Sequence, residues 1–405
     1  MLDGIGAGVK TVNTQVTNVH HRLVSIDVAG PSASPQPSAS GPSADAEGAV
    51  RPTRRRTRPS GAADPSAFAA LLAEVREAGL LVKRPGYYAG VAVVNLLLGA
   101  ACIAALLLLG PTPWQLAVAA VLGLVVGQFG FLAHEAAHRQ VFERGPANDL
   151  AARIIGPAVV GLSYTWWQDG HNRHHAHPNV VGRDPSVDPQ TFVFRAEDVG
   201  EPKAARRRVL PFQGYLMPPA LLFEGVALHV TSLVALLRMR RDRQRNVELA
   251  LLVVRLVALP ALVLAVLPLG LALGFLGVQL AVFGLYLGGS FVPNHVGMPI
   301  LEHRHGLDYL RKQVLTSRNL RGGAFASTLT GGLSLQIEHH LFPGMARPSL
   351  LKARPIVLAH CRALGLPYTE VSAAAAWGRV IRYLNEVGST AGAFRCPVTE
   401  ECGRV

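Results

Sequence analysis

"YYAGVAVVNLLLGAACIAALLLLGPTPWQLAVAAVLGLVVGQFGFLAHEAAH" occupies residues 87–138 and contains two apolar runs, roughly 87–109 and 114–132, joined by "GPTP". A helix needs about 20 apolar residues to cross the hydrocarbon core, and each run is near that length. The link is short and uncharged, so the pair reads as a hairpin. A second pair follows at roughly 249–267 and 271–292, turned by Pro268–Gly270. The pattern predicts an all-α membrane protein with four transmembrane helices in two hairpins.

Composition agrees. Of 405 residues, 50% are hydrophobic and 16% charged, against about a quarter charged in ordinary soluble proteins. The formal net charge of +13 could serve nucleic acid or an anionic membrane surface, and the apolar runs favour the membrane. No basic stripe interleaved with aromatics forms a nucleic-acid platform. Cys102, Cys361, Cys396 and Cys402 lack zinc-knuckle spacing and read as free thiols on a reducing face. The first residues, "MLDGIGAGVKTVNTQ", have no apolar core and predict no cleaved secretory signal.

Residues 1–65 are rich in Ser, Pro, Ala and Gly and end near "RPTRRRTRPSG", which predicts a disordered basic arm. His20 and His21 lie in that arm, away from the chemistry. A principal domain follows over 66–375, then a C-terminal tail over 376–405. At the domain's start Phe68, Leu71, Leu72, Val75 and Leu80 recur at helical spacing, predicting an amphipathic helix on the membrane surface. Lys and Arg concentrate in the arm, in "RRDRQR" at 240–245 and in the last hundred residues, which places these parts and both termini in the cytoplasm. Arg255 falls inside the third run, where it either snorkels or marks a later start of the span. The stretch 218–237 is also apolar but carries Glu224 and His229 and lies within a cytoplasmic block. It reads as an interfacial helix, because a fifth crossing would put the second hairpin and C-terminus on the far side.

The chemistry lies in the histidines. "HEAAH" supplies His134 and His138 at i, i+4, on one face of a helix continuing the second run. "HNRHH" supplies His171, His174 and His175 in a loop-like stretch after Trp166–Trp167. "QIEHH" supplies Gln336, His339 and His340, and His295 in "FVPNHVGMP" ends the fourth run. A lone histidine is more often a hydrogen-bonding residue than a ligand. Several together, on one side of a membrane, are costly unless a cation organises them. His229 is not expected to be a ligand, and His303, His305 and His360 read as loop or surface residues.

"HEAAH" also fits the H-E-x-x-H pattern of zinc hydrolases, with Glu135 as general base in an intramembrane protease. A catalytic zinc takes three protein ligands and a water, so that reading leaves at least five clustered histidines without a role. A carboxylate-bridged di-iron bundle would need paired Glu-x-x-His motifs, which are absent. A non-enzymatic metal or haem carrier is the binding-module reading.

The three histidine boxes, in order, spacing and placement after two hairpins, resemble the membrane-bound fatty acid desaturases. The resemblance covers about 66–375. "HNRHHAHPNVVGRDPSVDP", "NHVGMP" and "TSRNLRGG…QIEHHLFPGM" look most like the bacterial acyl-CoA desaturases of the front-end, linoleoyl-CoA type, with Gln336 as that branch's mark. The resemblance implies a helical cytoplasmic cap holding two iron ions on His134, His138, His171, His174, His175, His339 and His340, with His295 as a further ligand. Gln336 stands where other members have histidine, and it, His177 and Asn294 are candidates for weak ligation or support around the metals. Tyr164, Trp166 and Trp167 are candidates for the wall of an acyl tunnel or, equally, for interfacial belt aromatics. No His-Pro-Gly-Gly haem motif of a fused cytochrome b5 occurs in the sequence. The implied activity is dioxygen-dependent desaturation of an acyl-CoA or lipid-linked chain, with a ferredoxin- or flavin-type reductase as electron donor and membrane lipids around the enzyme. A hydroxylase or other oxygenase of the same fold uses the same boxes and remains the alternative.

Overall fold

A computed structural model describes residues 65–188, 191–199 and 204–393. The basic arm, its two histidines, Cys396 and Cys402 lie outside the described residues. In chain order the helices are α1 (Pro65–Glu77), α2 (Pro85–Leu108), α3 (Trp114–Ala137), α4 (Gly145–Ile155), α5 (Tyr164–Ala176), α6 (Ala204–Val209), α7 (Gln213–Ala220), α8 (Glu224–Arg238), α9 (Arg243–Val266) and α10 (Leu269–His295). The chain continues with α11 (Tyr309–Leu315), strand β1 (Asn319–Leu320), α12 (Gly323–Leu329), α13 (Gln336–Leu341), α14 (Arg347–Ala363), strand β2 (Glu370–Val371) and α15 (Ala373–Ala393). The two strands form a minimal parallel pair with Asn319 opposite Glu370.

Both hairpins form where the apolar runs place them. Gly110, at φ +65°, ends α2, and Gln115 Nε2 donates to the Leu106 and Gly110 carbonyls, each at 3.0 Å. These bonds satisfy carbonyls left open at the helix end, which neither lipid nor an apolar core would do. Helices α3 and α10 pack closely through small residues. A Cβ on Gly123 would stand 2.7 Å from the Gln279 carbonyl, and one on Gly127 would stand 2.5 Å from the Tyr286 ring. Close backbone approach at small residues is the usual way helices associate in a membrane.

Five helical segments among the described residues are long and apolar enough to cross a membrane. Four match the two hairpins. The fifth is Ala205–Arg238, a continuous stretch of α6, α7 and α8 with 3₁₀ turns at Leu210–Phe212 and Leu221–Phe223. It contains the whole of the segment read as interfacial, so length and composition alone do not decide its placement.

Two expectations change. The apolar face of α1 is covered by protein rather than lipid: Leu71 and Val75 are buried in a cluster with Leu350, Ala353 and Val357 of α14. Phe68 packs edge-on against Tyr309, ring centroids 4.7 Å apart. Helical spacing identifies an apolar stripe but not what covers it. Arg255, within α9, donates from Nε to the Val159 carbonyl at 2.8 Å. Finally, the compact unit continues past residue 375. Ala376, Val380 and Leu384 of α15 are fully buried, so 376–393 belongs to a packed helix rather than a tail.

The segment that feeds the second histidine box has its own anchoring. A single wide turn, Gly156–Val160, ends at Gly161 with φ +85°. His229 donates from Nε2 to the Val160 carbonyl at 3.0 Å, and a Cβ on Gly161 would stand 2.5 Å from that nitrogen. Buried Glu248 then accepts from Arg153 (2.6 Å), Ser163 Oγ (3.0 Å) and the Thr165 amide (3.1 Å). These contacts fix where α5 begins.

Candidate metal centre

Helix α3 carries His134 in its last turn and His138 just beyond, with ring centroids 4.7 Å apart. The second box lies on a helix, not in a loop. Ser163 caps α5 by accepting from the Trp166 amide at 3.2 Å, and one face of the helix presents His171, His174 and His175. His295 is the last residue of α10, and α13 delivers Gln336, His339 and His340.

These eight imidazoles converge as two groups. His134, His138, His171, His175 and His339 form one, and His174, His295 and His340 the other; within each, the ligand nitrogens lie within 4.8 Å of one another. The groups abut where the His175 and His340 rings stack, 4.2 Å apart. In the larger group, Nε2 of His171 lies 3.1 Å from that of His134 and 2.8 Å from that of His138. His134 Nδ1, both nitrogens of His175, and Nε2 of His339 and His340 are buried without a hydrogen-bond partner among the described residues. Converging unpaired lone pairs are costly, and a cation in each group removes that cost.

Burial and the neighbouring imidazoles keep His171, His175, His339 and His340 well below the usual histidine range, and they push His138 down to about 3. All are thus neutral at pH 7, the form that binds a metal. In metal-free protein the same shift ties stability to pH. The unfolded chain takes up protons below the ordinary value of 6.5, while the fold resists them until the lower folded values. The stabilisation is complete above 6.5 and is lost as pH falls toward about 3, the His138 value. Each such histidine contributes up to about 1.4 kcal/mol per pH unit in this window. The melting temperature of metal-free protein should fall steeply from pH 7 to pH 5; a flat profile would contradict this.

Outer partners set the ring orientations. In the smaller group His174 Nδ1 donates to Asp184 (2.9 Å), His295 Nδ1 to the Thr316 carbonyl (3.0 Å) and His340 Nδ1 to Gln313 Oε1 (3.0 Å). Each bond turns Nε2 inward, as outer-sphere partners of metal-bound histidines do. Burial alone would raise the Asp184 pKa, but His174 and the Ser186 and Asn179 amides hold it down at about 2. Asp184, Gln313 and Thr316 carry no spacing signal. Asp184 lies ten residues after His174 in the same stretch as the second box, and only the fold brings the two together.

Gln336 lies in the smaller group, its amide nitrogen 2.9 Å from His295 Nε2 and its oxygen 3.2 Å from Asn294 Nδ2. Asn294 is pinned by the Ser290 and Leu333 carbonyls at 2.8 and 3.0 Å, so both expected supporting residues reach the site. His177 does not. It is part-exposed, and the charges acting on it come from Lys312, Arg183, His305 and His303. An amide binds metal less well than imidazole. Gln336→Ala should therefore lower turnover more than metal occupancy, and Gln336→His should retain the metals. Metal loss in Gln336→Ala as complete as in His339→Ala would make Gln336 a ligand.

A small cavity of about 50 Å³ borders the larger group, lined by His134, Tyr164, Trp167, Leu287 and Phe291 among others. Tyr164 and Trp167 thus stand where a tunnel wall would, and Trp167 also stacks on His171 with centroids 4.1 Å apart. Trp166 does not border this cavity and packs against the apolar core. Glu135 cannot serve as a hydrolytic base, because Arg347 binds both its oxygens, Nε at 2.6 Å and Nη2 at 2.5 Å. The zinc-hydrolase alternative loses its general base.

Residues 111–372, which include every clustered histidine, match the family model described as fatty acid desaturase. The chain belongs to the fatty acid desaturase family. This desaturase-family chain is 30% identical over 313 residues to the acyl-lipid (9-3)-desaturase of Physcomitrium patens, covering 75% of this chain and 59% of that protein. It is 32% identical over 270 residues to the delta(6)-fatty-acid desaturase fat-3 of Caenorhabditis elegans, covering 63% and 60%. With the delta(8)-fatty-acid desaturase of Helianthus annuus it shares 27% over 317 residues, covering 75% and 69%. The match thus spans about three-fifths of the length of the first two relatives.

Proposed function

We propose that this protein is a dioxygen-dependent fatty acyl desaturase of the front-end type. It would place a cis double bond in an acyl-CoA or lipid-linked chain and use an external electron donor. The observation that carries this reading is the pair of abutting imidazole groups, five and three, inside the family match. Imidazole-rich sites of this kind suit iron, and the ligand set is too large for one tetrahedral zinc. His134, His138, His171, His175 and His339 would hold one iron, and His174, His295 and His340 the other, with Gln336 and Asn294 beside it. When bound, the two irons supply the dioxygen reduction needed to remove two hydrogens from an unactivated methylene pair. The protein's own part is to hold that pair beside the metals and keep water out. Tyr164 and Trp167, with Leu287 and Phe291, are apolar walls suited to this work. The bacterial acyl-CoA branch remains the finer assignment, with electrons from a separate ferredoxin- or flavin-type reductase.

We place four of the five candidate spans across the cell membrane, with 205–238 lying at its cytoplasmic surface. Parity supports this. His138 follows α3 and His295 ends α10, and each belongs to the shared cluster, His295 with its ring 4.6 Å from that of His174. If 205–238 also crossed, α3 and α10 would end on opposite faces. The histidines and both termini then face the cytoplasm, where the basic segments lie. Reporter tags at 110–113 and 268–270 should read outside, and tags at 238–246 cytoplasmic; a cytoplasmic reading at 110–113 would break the argument.

Lipid profiling by mass spectrometry, after expression in a host lacking desaturases, tests the activity. The expected product has lost two hydrogens and gained a double bond without added oxygen. A hydroxylated product would assign the protein to the oxygenases of the same fold.

A further inference from the structure

Glu135 and Arg347 form a buried, two-pronged ion pair, with side chains 1% and 2% exposed. The pair sits within a longer hydrogen-bonded chain. Tyr88 of α2 accepts from the Arg347 amide at 3.0 Å and donates to Gln140 Oε1 at 2.9 Å. Gln140 in turn donates from Nε2 to the Pro343 carbonyl at 2.7 Å. Glu135 lies between His134 and His138 of the first box. Pro343 and Arg347 come shortly after His339 and His340 of the third, in the turn before α14 and at its first residue. The chain therefore spans more than two hundred residues and joins the end of α3 to the turn between α13 and α14.

We propose that Glu135 and Arg347 are positioning residues which register the first histidine box against the third, and so complete the five-histidine group. This rests on the reading that each group holds an iron. The chemistry favours a positioning role over a merely stabilising one. A buried ion pair adds little stability over apolar side chains of like size, whereas its fork geometry fixes both partners in distance and angle. The consequences for the two groups differ. His134 and His138 belong only to the five-histidine group, and the other group, His174, His295 and His340, contains no first-box residue. Losing the pair should therefore empty one site and spare the other.

The double variant Glu135→Leu/Arg347→Met removes both charges together and avoids leaving either one buried alone. Full-length protein in detergent, reconstituted with ferrous iron, is read for iron per chain and by Mössbauer spectroscopy. The expected result is folded protein with about one iron per chain and no second iron environment, against about two in the unaltered protein. A folded double variant with two irons and unchanged spectra would overturn the proposal. Should the double variant fail to fold, Arg347→Lys keeps the charge without the fork and is read on the same two outcomes. Arg354→Met is the control, since Arg354 makes a similar two-pronged pair with Glu370 at 2.6 and 2.8 Å and neither residue belongs to a histidine group or joins the first box to the third. It should keep both irons, and equal iron loss there would also overturn the assignment. If the unaltered protein itself does not hold two irons, the di-iron reading fails, not the positioning role.

Discussion

His339→Ala is expected to abolish product formation and to lower iron content together. His339 is buried, its Nε2 has no hydrogen-bond partner, and its ring lies 4.9 Å from those of both His134 and His138. Its loss leaves the five-histidine group one imidazole short, so turnover should fall by about 100-fold or more, beyond what loss of an outer-sphere partner costs. His295→Ala should behave alike, since His295 shares its group with only His174 and His340. His229→Ala is the contrast. Its ring serves the Val160 carbonyl, outside both groups, so the change should cost about 1 kcal/mol of stability and leave iron and most activity intact. Lipid products and iron content measured on the same three preparations check this. Full iron in His339→Ala, or loss of iron in His229→Ala, would show that the ligand assignment is wrong.

Asp184→Asn should produce the second largest effect, and it should act on metal affinity before fold. Asp184 is fully buried and receives His174 Nδ1–H at 2.9 Å, the Asn179 amide at 2.8 Å and the Ser186 amide at 2.9 Å. Asparagine keeps the shape but replaces one accepting oxygen with a donor. Whichever way the amide turns, one of these N–H groups then faces another donor. Loss of such an outer carboxylate typically costs 10- to 100-fold in metal affinity. Iron release to a chelator should accelerate by about that factor, with release of one of the two irons leading. Unchanged release would reduce Asp184 to a staple of the 179–186 loop.

Much of this could be read from sequence. The two hairpins were legible because lipid demands about twenty apolar residues per crossing, and that demand is written in composition. The three boxes were legible because imidazole is rarely concentrated without cause. The helical state of "HNRHH" was not, since its start depends on the Ser163 cap and on Glu248 reaching back from α9. The division of the imidazoles into groups of five and three was not, because it needs His174 and His175, adjacent in sequence, to serve different groups. Nor were Asp184, Gln313 and Arg347, whose roles arise from contacts 10, 27 and 212 residues distant. The apolar stripe of α1 was visible, but its cover was not. The fifth apolar stretch, read as interfacial from Glu224 and His229, satisfies length and composition for a span. Only the meeting of His295 with His174 argues how it lies.

The metal content of the purified, full-length protein tests the central claim most directly. Protein prepared with both iron and zinc available should contain about two irons per chain and little zinc, because two adjoining imidazole groups exceed what one tetrahedral ion can use. One zinc per chain and no iron would contradict the account.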